Sequence, residues 1–398
     1  MSTAISDRRE PLPTTAVFGG SALAATISIG IWCLLGAFIL IPSERASFGL
    51  AAIAIAAIEL SRRYAPRSFE IACDAISQKA AVFVCVSILA VAAFPLLVRD
   101  DPYWIHVITL VFIYGFAAQG LNVHLGETGA INVGYAGLFA IGAYSSAISV
   151  VDFGASFWMS LVYATAICWA VGLLIGACTI RTSGDYLSLV TLGFGLIVYQ
   201  LAVNMTWLTH GTDGVHIPSP GLFGHSFAAE LQFGPIQLPK EANFYYAALL
   251  FLLAAMLLSR RISNSWIGRT WAAMRQDPVG AGCFGINVPL TRMFSFAFGS
   301  AFAGVAGGLY AGTIGFIEPG EFSIFMSITL ICMVILGGMG NWWGVVVGAL
   351  IMIVVPEKLR DFQELRYLLY GVVLLVILVY RPYGLFASVR RKHEKLIG

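Results

Sequence analysis

Between residues 16 and 380 the chain repeats one pattern: an apolar run close to membrane-crossing length, then a short polar or glycine-rich interruption. Crossing a bilayer as a helix takes about 20 apolar residues, with about 17 to 25 tolerated. Runs at 16–41, 46–60, 80–98, 103–123, 129–151, 157–180, 186–205, 244–258, 293–316, 323–336, 344–355 and 367–380 meet or approach that length. Runs of that length in so apolar a chain give an expected fold of an all-α polytopic membrane protein with about 10–12 transmembrane helices. The short runs are expected to be tilted, broken or re-entrant. Charge agrees with this reading, because only 11% of the residues are Asp, Glu, Lys or Arg, against about 25% in soluble proteins.

Orientation follows from the bias of Lys and Arg in short loops. With Arg8 inside and twelve crossings, all but six of the 23 basic residues fall on one face. The six are Arg45, Arg99, Lys240, Lys358, Arg360 and Arg366. Both termini are therefore expected in the cytoplasm. Two longer polar segments follow from the same threading, an outer loop at 206–243 and a basic inner loop at 259–292 with a helix-compatible stretch from Trp266 to Arg275. The expected organisation is an N-terminal extension at 1–79 with one or two spans, a core at 80–386 and a basic cytoplasmic tail at 387–398.

Several chemistries are missing from the sequence. A net charge of +2 supplies no basic field for nucleic acid. The seven cysteines and six histidines show no CxxC or HExxH spacing, so no metal site is expected. There is no GxxxxGK[ST] loop to cradle nucleotide phosphates and no GxSxG elbow. The chain is therefore read as a non-enzyme that binds no cofactor, with any ATP used by a separate subunit. Ionisable residues at membrane depth are also scarce. Glu59, His106 and Glu127 are a poor proton relay, whereas sodium coupling through carbonyls would leave less trace.

Glycine is clustered. One group runs Gly126-Glu127-Thr128-Gly129, then Gly134, Gly137 and Gly142; a second runs Gly337-Gly338-Met339-Gly340-Asn341, then Gly344 and Gly348. A third, Gly304, Gly307, Gly308, Gly312 and Gly315, lies in one apolar run and reads as close helix packing in lipid. Polar residues interrupt the first two. Irregular backbone at membrane depth must be buried in protein or line a water-filled route. The expectation is that Asn122, Gly126, Glu127, Thr128, Gly129 and Asn132, with Gly337, Gly338, Gly340 and Asn341, border a substrate pathway. Packing alone is the competing reading.

The ordered motifs resemble a known family. They are Gly120-Leu121-Asn122 with Ile141-Gly142-Ala143-Tyr144, Gly184-Asp185-Tyr186-Leu187 with Gly193-Phe194-Gly195, and Ile217-Pro218-Ser219-Pro220. Then come Ile267-Gly268-Arg269 through Gly285-Ile286, Gly315-Phe316-Ile317-Glu318-Pro319 with Phe322, Leu336-Gly337-Gly338-Met339-Gly340, Tyr370-Gly371, and Arg381-Pro382-Tyr383-Gly384-Leu385. In this order they are similar to the LivM-type permeases of ABC importers for branched-chain amino acids. Leu196, Glu127 and Thr209-His210-Gly211-Thr212-Asp213-Gly214 depart from that family's usual pattern.

The resemblance implies a bacterial inner-membrane subunit working with a LivH-type sister permease, two cytoplasmic ATP-binding subunits, and a periplasmic or lipid-tethered substrate-binding protein. It also implies an ATPase-coupling role for the inner loop, with Arg269, Arg275, Asp277 and Gly285 as candidate residues. Branched-chain or related amino acids are the expected cargo, with urea or short amides as alternatives. An ion-coupled secondary transporter is the competing function, and a non-transporting membrane scaffold a third.

Overall fold

The computed structural model describes residues 80–358, except 181, 183–184, 219, 223–224, 228, 230 and 234–235, together with Gly371, Gly384 and Leu385. The expected spans at 16–41, 46–60 and 367–380, the extension at 1–79 and the tail at 387–398 lie outside the described residues. The chain divides into two compact units at Trp104 and Ile105. In the first, the described part is chiefly helix α1, Ala80–Leu97.

The described part of the second unit is a helical membrane domain, which the helix starting at Pro102 enters from the first. Its helices are α2 (Pro102–Asn122), α3 (Tyr135–Val151), α4 (Phe157–Cys178), α5 (Asp185–Asn204) and α6 (Glu241–Ser263). They continue with α7 (Trp266–Gln276), α8 (Pro278–Cys283), α9 (Val288–Ile314), α10 (Ile324–Gly337) and α11 (Trp342–Lys358). Among the described residues, 102–127, α4, 186–204, α6 and α9 are long and apolar enough to cross a membrane, and α3 and α10 are shorter apolar helices. Several helices outrun the apolar runs that mark them. Helix α6 takes in Glu241, Arg260 and Arg261, and α9 takes in Arg292, because end turns can carry polar residues that a hydropathy criterion trims away.

Helix α9 is the spine, packed against α3 and α4 with glycine at the closest approaches. A Cβ on Gly304 would lie 2.7 Å from the Ala164 carbonyl oxygen, and one on Gly142 would lie 2.7 Å from the Gly304 Cα. With no hydrophobic drive between helices in lipid, such backbone-to-backbone contact supplies the dispersion energy. The glycine stripe of α9 therefore serves packing. Helices α4 and α5 leave many large apolar side chains uncovered, among them Leu174, Tyr186, Leu189 and Ile197, as lipid-facing helices must.

Among the described residues, strand structure is confined to two- and three-residue pairs in and beside the 206–243 loop. Val215–His216 pairs antiparallel with Phe316–Ile317, and the Ile217 amide donates to the Gly315 carbonyl at 2.9 Å, which ties that loop to the α9–α10 turn. His210, where the resembled pattern has glycine, holds a left-handed φ of 58°. That conformation costs an L-residue roughly 1–2 kcal/mol, so His210→Gly is expected to raise the thermal midpoint of the purified protein by a few degrees. An unchanged or lower midpoint would mean that the imidazole compensates for the strain.

Candidate functional site

The two glycine-polar breaks, more than 200 positions apart in sequence, meet in space. Helix α2 runs into a π turn at Val123–Glu127 and the chain restarts as α3 at Tyr135, so the apolar run expected from 129 becomes helical only at 135. Asn122 closes α2, and its Oδ1 accepts a hydrogen bond from the Gly340 amide at 2.8 Å. A Cβ on Gly126 would collide with both Asn122 Oδ1 and the Gly340 nitrogen. Only glycine lets the π turn sit this close to the second break. There, Gly338 and Gly340 hold φ of 112° and 79°, and Asn341 Oδ1 accepts from the Trp343 and Gly344 amides to start α11.

The first break is knotted onto α9 by His124, which sequence reading missed. The buried ring stacks on Phe296 with centroids 4.6 Å apart. Its Nε2 lies 3.2 Å from the Phe296 carbonyl oxygen and its Nδ1 lies 3.2 Å from Asn132 Nδ2. A carbonyl can only accept and an amide nitrogen only donate, so the proton belongs on Nε2. Asn132 then accepts from the Gly134 amide at 3.1 Å, and Thr128 Oγ1 donates to the His124 carbonyl at 2.7 Å. Gln119, also unforeseen, donates to the Trp342 carbonyl at 2.6 Å and ties α2 to α11. A histidine and a glutamine inside an apolar stretch were the available signals.

The inner loop reaches into this knot. Ser265 caps α7, whose Trp271 and Met274 pack with Val123 of the π turn. That places Arg275 to donate from Nη1 to the Gly126 carbonyl at 2.5 Å, while a Cβ on Gly129 would lie 2.7 Å from Arg275 Cγ. Glu127 is buried and accepts from Ser263 Oγ at the end of α6 at 2.5 Å. The other loop candidates stand apart from the knot. Arg269 is exposed and donates to the Asn264 carbonyl, Asp277 caps α8 through the Val279 amide at 2.9 Å, and Gly285 turns the chain at a φ of 83° with open space around it. The loop carries bare apolar side chains, chief among them Trp266, Val279 and Phe284, exposed by 67%, 78% and 90%.

Gly337 is enclosed by the backbone of Gly344 and Val345. Of the candidates for a pathway, Gly129 is exposed, Gly340 and Asn341 are half-buried and the others are buried. Next to the first break lies an apolar cavity of about 250 Å³ lined by α3, α5 and the start of α10, with Gly137, Leu196, Tyr199, Phe322, Ser323 and Ser327 among its walls.

The sequence pattern of the family described as branched-chain amino acid transport system permease component matches residues 103–378. The chain belongs to that family. The high-affinity branched-chain amino acid transport system permease protein LivM of Salmonella typhimurium is 33% identical over 332 residues, covering 80% of this chain and 78% of that protein. The corresponding LivH protein of Escherichia coli K12 is 26% identical over 293 residues, 68% of this chain and 91% of that one. The guanosine ABC transporter permease protein NupQ of Bacillus subtilis is 26% identical over 223 residues, 52% and 66% of the two chains. No solved structure matches significantly. As a permease component the chain is a multi-pass membrane protein, and the match takes in both glycine breaks and the whole inner loop.

Proposed function

We propose that this chain is the membrane-spanning half-gate of an ATP-driven importer that passes branched-chain or related small amino acids from a binding protein to the cytoplasm. The observation that carries the reading is the continuous contact line from the inner loop to both breaks. Arg275 holds the Gly126 carbonyl, and Asn122 holds the Gly340 amide across the same turn. A push on the inner loop therefore reaches both interruptions through hydrogen bonds and close backbone packing.

Family membership and the LivM and LivH relatives support a sister permease, a pair of cytoplasmic ATP-binding subunits and a periplasmic or lipid-tethered binding protein as partners. The bare side chains Trp266, Val279 and Phe284 give an ATP-binding subunit an apolar grip on the loop, since uncovered aromatic side chains anchor protein interfaces. Both termini and the inner loop face the cytoplasm in this reading, and the outer loop faces the binding protein. The breaks act as the moving part of the route, because a helix interrupted by glycine can change direction without breaking its neighbours. The name of NupQ, a guanosine ABC transporter permease, supports a cargo that varies among relatives, so the binding protein is the place to read it.

Affinity purification of the tagged chain from its native membrane tests the assignment. A sister permease and an ATP-binding pair are expected to co-purify, and mass spectrometry of the ligand on the associated binding protein is expected to return an aliphatic amino acid. Recovery of the chain alone, with full uptake activity, would sink the proposal.

A further inference from the structure

Above the glycine breaks, near the outer loop, lies a second polar cluster that neither the resemblance nor the relatives' names assign. The turn Pro319–Phe322 follows the Phe316–Ile317 strand and inserts Phe322 among four other rings. Phe322 lies 5.8 Å from Tyr144, 6.1 Å from Phe139 and 6.2 Å from Tyr310, centroid to centroid. Tyr114 closes the group, 6.0 Å from Phe139 and 5.9 Å from Tyr310. Beside Phe322, the Glu321 carboxylate lies within hydrogen-bonding reach of the Tyr310 hydroxyl. Its other oxygen, Oε2, is buried without a hydrogen-bond partner, and so is the hydroxyl of Tyr144, a residue only 5% exposed. Glu318, three residues earlier, adds its charge near the same hydroxyl. Burial raises the Glu321 carboxyl above its usual range, a penalty on the charged form that an arriving cation would offset.

We infer that this cluster is a binding site for the ammonium group of a small aliphatic amine, with Glu321 as counter-ion, the Tyr144 hydroxyl as acceptor and the surrounding rings as cation-binding faces. Rings and a carboxylate together favour a compact ammonium, which needs acceptors on several sides and is attracted to aromatic faces. Phe322 links the cluster to the neighbouring apolar cavity, whose wall also holds Ser323, Leu196 and Ile324. A cavity of about 250 Å³ is below the size of drug-binding pockets, which start at about 300 Å³, and suits one aliphatic side chain. The two halves together would take the amine and the alkyl chain of such a ligand, the ammonium at Glu321 and the alkyl chain in the cavity that Phe322 shares. This deepens the proposed import of small amino acids and rests on it for its biological meaning, but binding itself can be measured without transport.

The test uses the purified full chain in phosphatidylcholine nanodiscs and saturation-transfer difference NMR with two probes of matched shape, 3-methylbutylamine and 4-methylpentanoate. In the wild type the amine is expected to give the stronger methyl signal. Glu321→Gln is expected to weaken amine binding by about tenfold, to the level of the acid, with Glu321→Asp retaining an intermediate signal. Should Glu321→Gln not elute as a folded species, Tyr144→Phe, which deletes one hydroxyl, is expected to lower the amine signal at least by about half. Equal signals for the two probes, or an amine signal unchanged in Glu321→Gln or in folded Tyr144→Phe, would overturn the site. Amine selectivity in a chain that supports no ATP-driven uptake would leave the site standing and remove the importer reading.

Discussion

Arg275→Ala is expected to cut ATP-driven uptake by about tenfold or more while the hydrolysis rate stimulated by loaded binding protein stays within about twofold of wild type. The lost contact is a charged donor on the buried Gly126 carbonyl, and hydrogen bonds to charged groups contribute about 1.5–3 kcal/mol, where 1.4 kcal/mol is a factor of ten. Because α7 is also anchored by Trp271 and Met274, the loop stays in place without the guanidinium, and what is removed is its hold on the first break. Arg275→Lys keeps the charge but loses the fork and is expected to fall between the two. Reversing Arg275 and Asp277 together is expected to uncouple as well, yet it reads less cleanly. Asp277 caps α8, so its loss adds about 1 kcal/mol of local destabilisation. Proportional loss of hydrolysis and uptake in Arg275→Ala would mean that the residue supports assembly rather than coupling.

Gly337→Ala is the second large effect. The added methyl would meet the Gly344 carbonyl group and lie 2.7 Å from the Val345 nitrogen. Both are backbone, which no rotamer change can clear. Overpacking a core by one methylene costs about 1–3 kcal/mol, and this contact belongs at the upper end because it wedges α10 away from α11. Fluorescence-detected size exclusion is expected to show most of the Gly337→Ala protein lost from the folded peak. Gly193→Ala is the matched control: a Cβ there meets nothing within 4 Å, and in mid-helix alanine is favoured over glycine by about 0.5–1 kcal/mol. A wild-type peak for Gly337→Ala would mean that the α10–α11 hairpin is looser than described.

Much of this architecture is legible in residue order. Apolar runs locate most of the described helices, and Gly337-Gly338-Met339-Gly340-Asn341 marks the α10–α11 interruption almost to the residue. The helix-compatible stretch from Trp266 to Arg275 becomes α7 with one residue added. The first break is less well placed, since a π turn carries the helical chain through Glu127 where the apolar run ends at 123. Pairing is what local pattern cannot carry. Nothing near Asn122 names Gly340 as its partner, and nothing near Arg275 names Gly126. His124 and Glu321 were passed over for a related reason. A lone ionisable residue in an apolar setting gains meaning only from neighbours that folding supplies, here Phe296 and Asn132 for one, Tyr310 and Phe322 for the other.

The central property proposed for this chain is that it moves solute only when driven from the cytoplasmic side by another subunit. Proteoliposomes carrying the chain alone, and proteoliposomes carrying it with its sister permease and ATP-binding pair plus external binding protein, should be compared for uptake of labelled leucine. ATP-dependent accumulation in the complete assembly and none in the chain alone, under proton or sodium gradients of either sign, is the predicted result. Gradient-driven accumulation by the chain alone would contradict it.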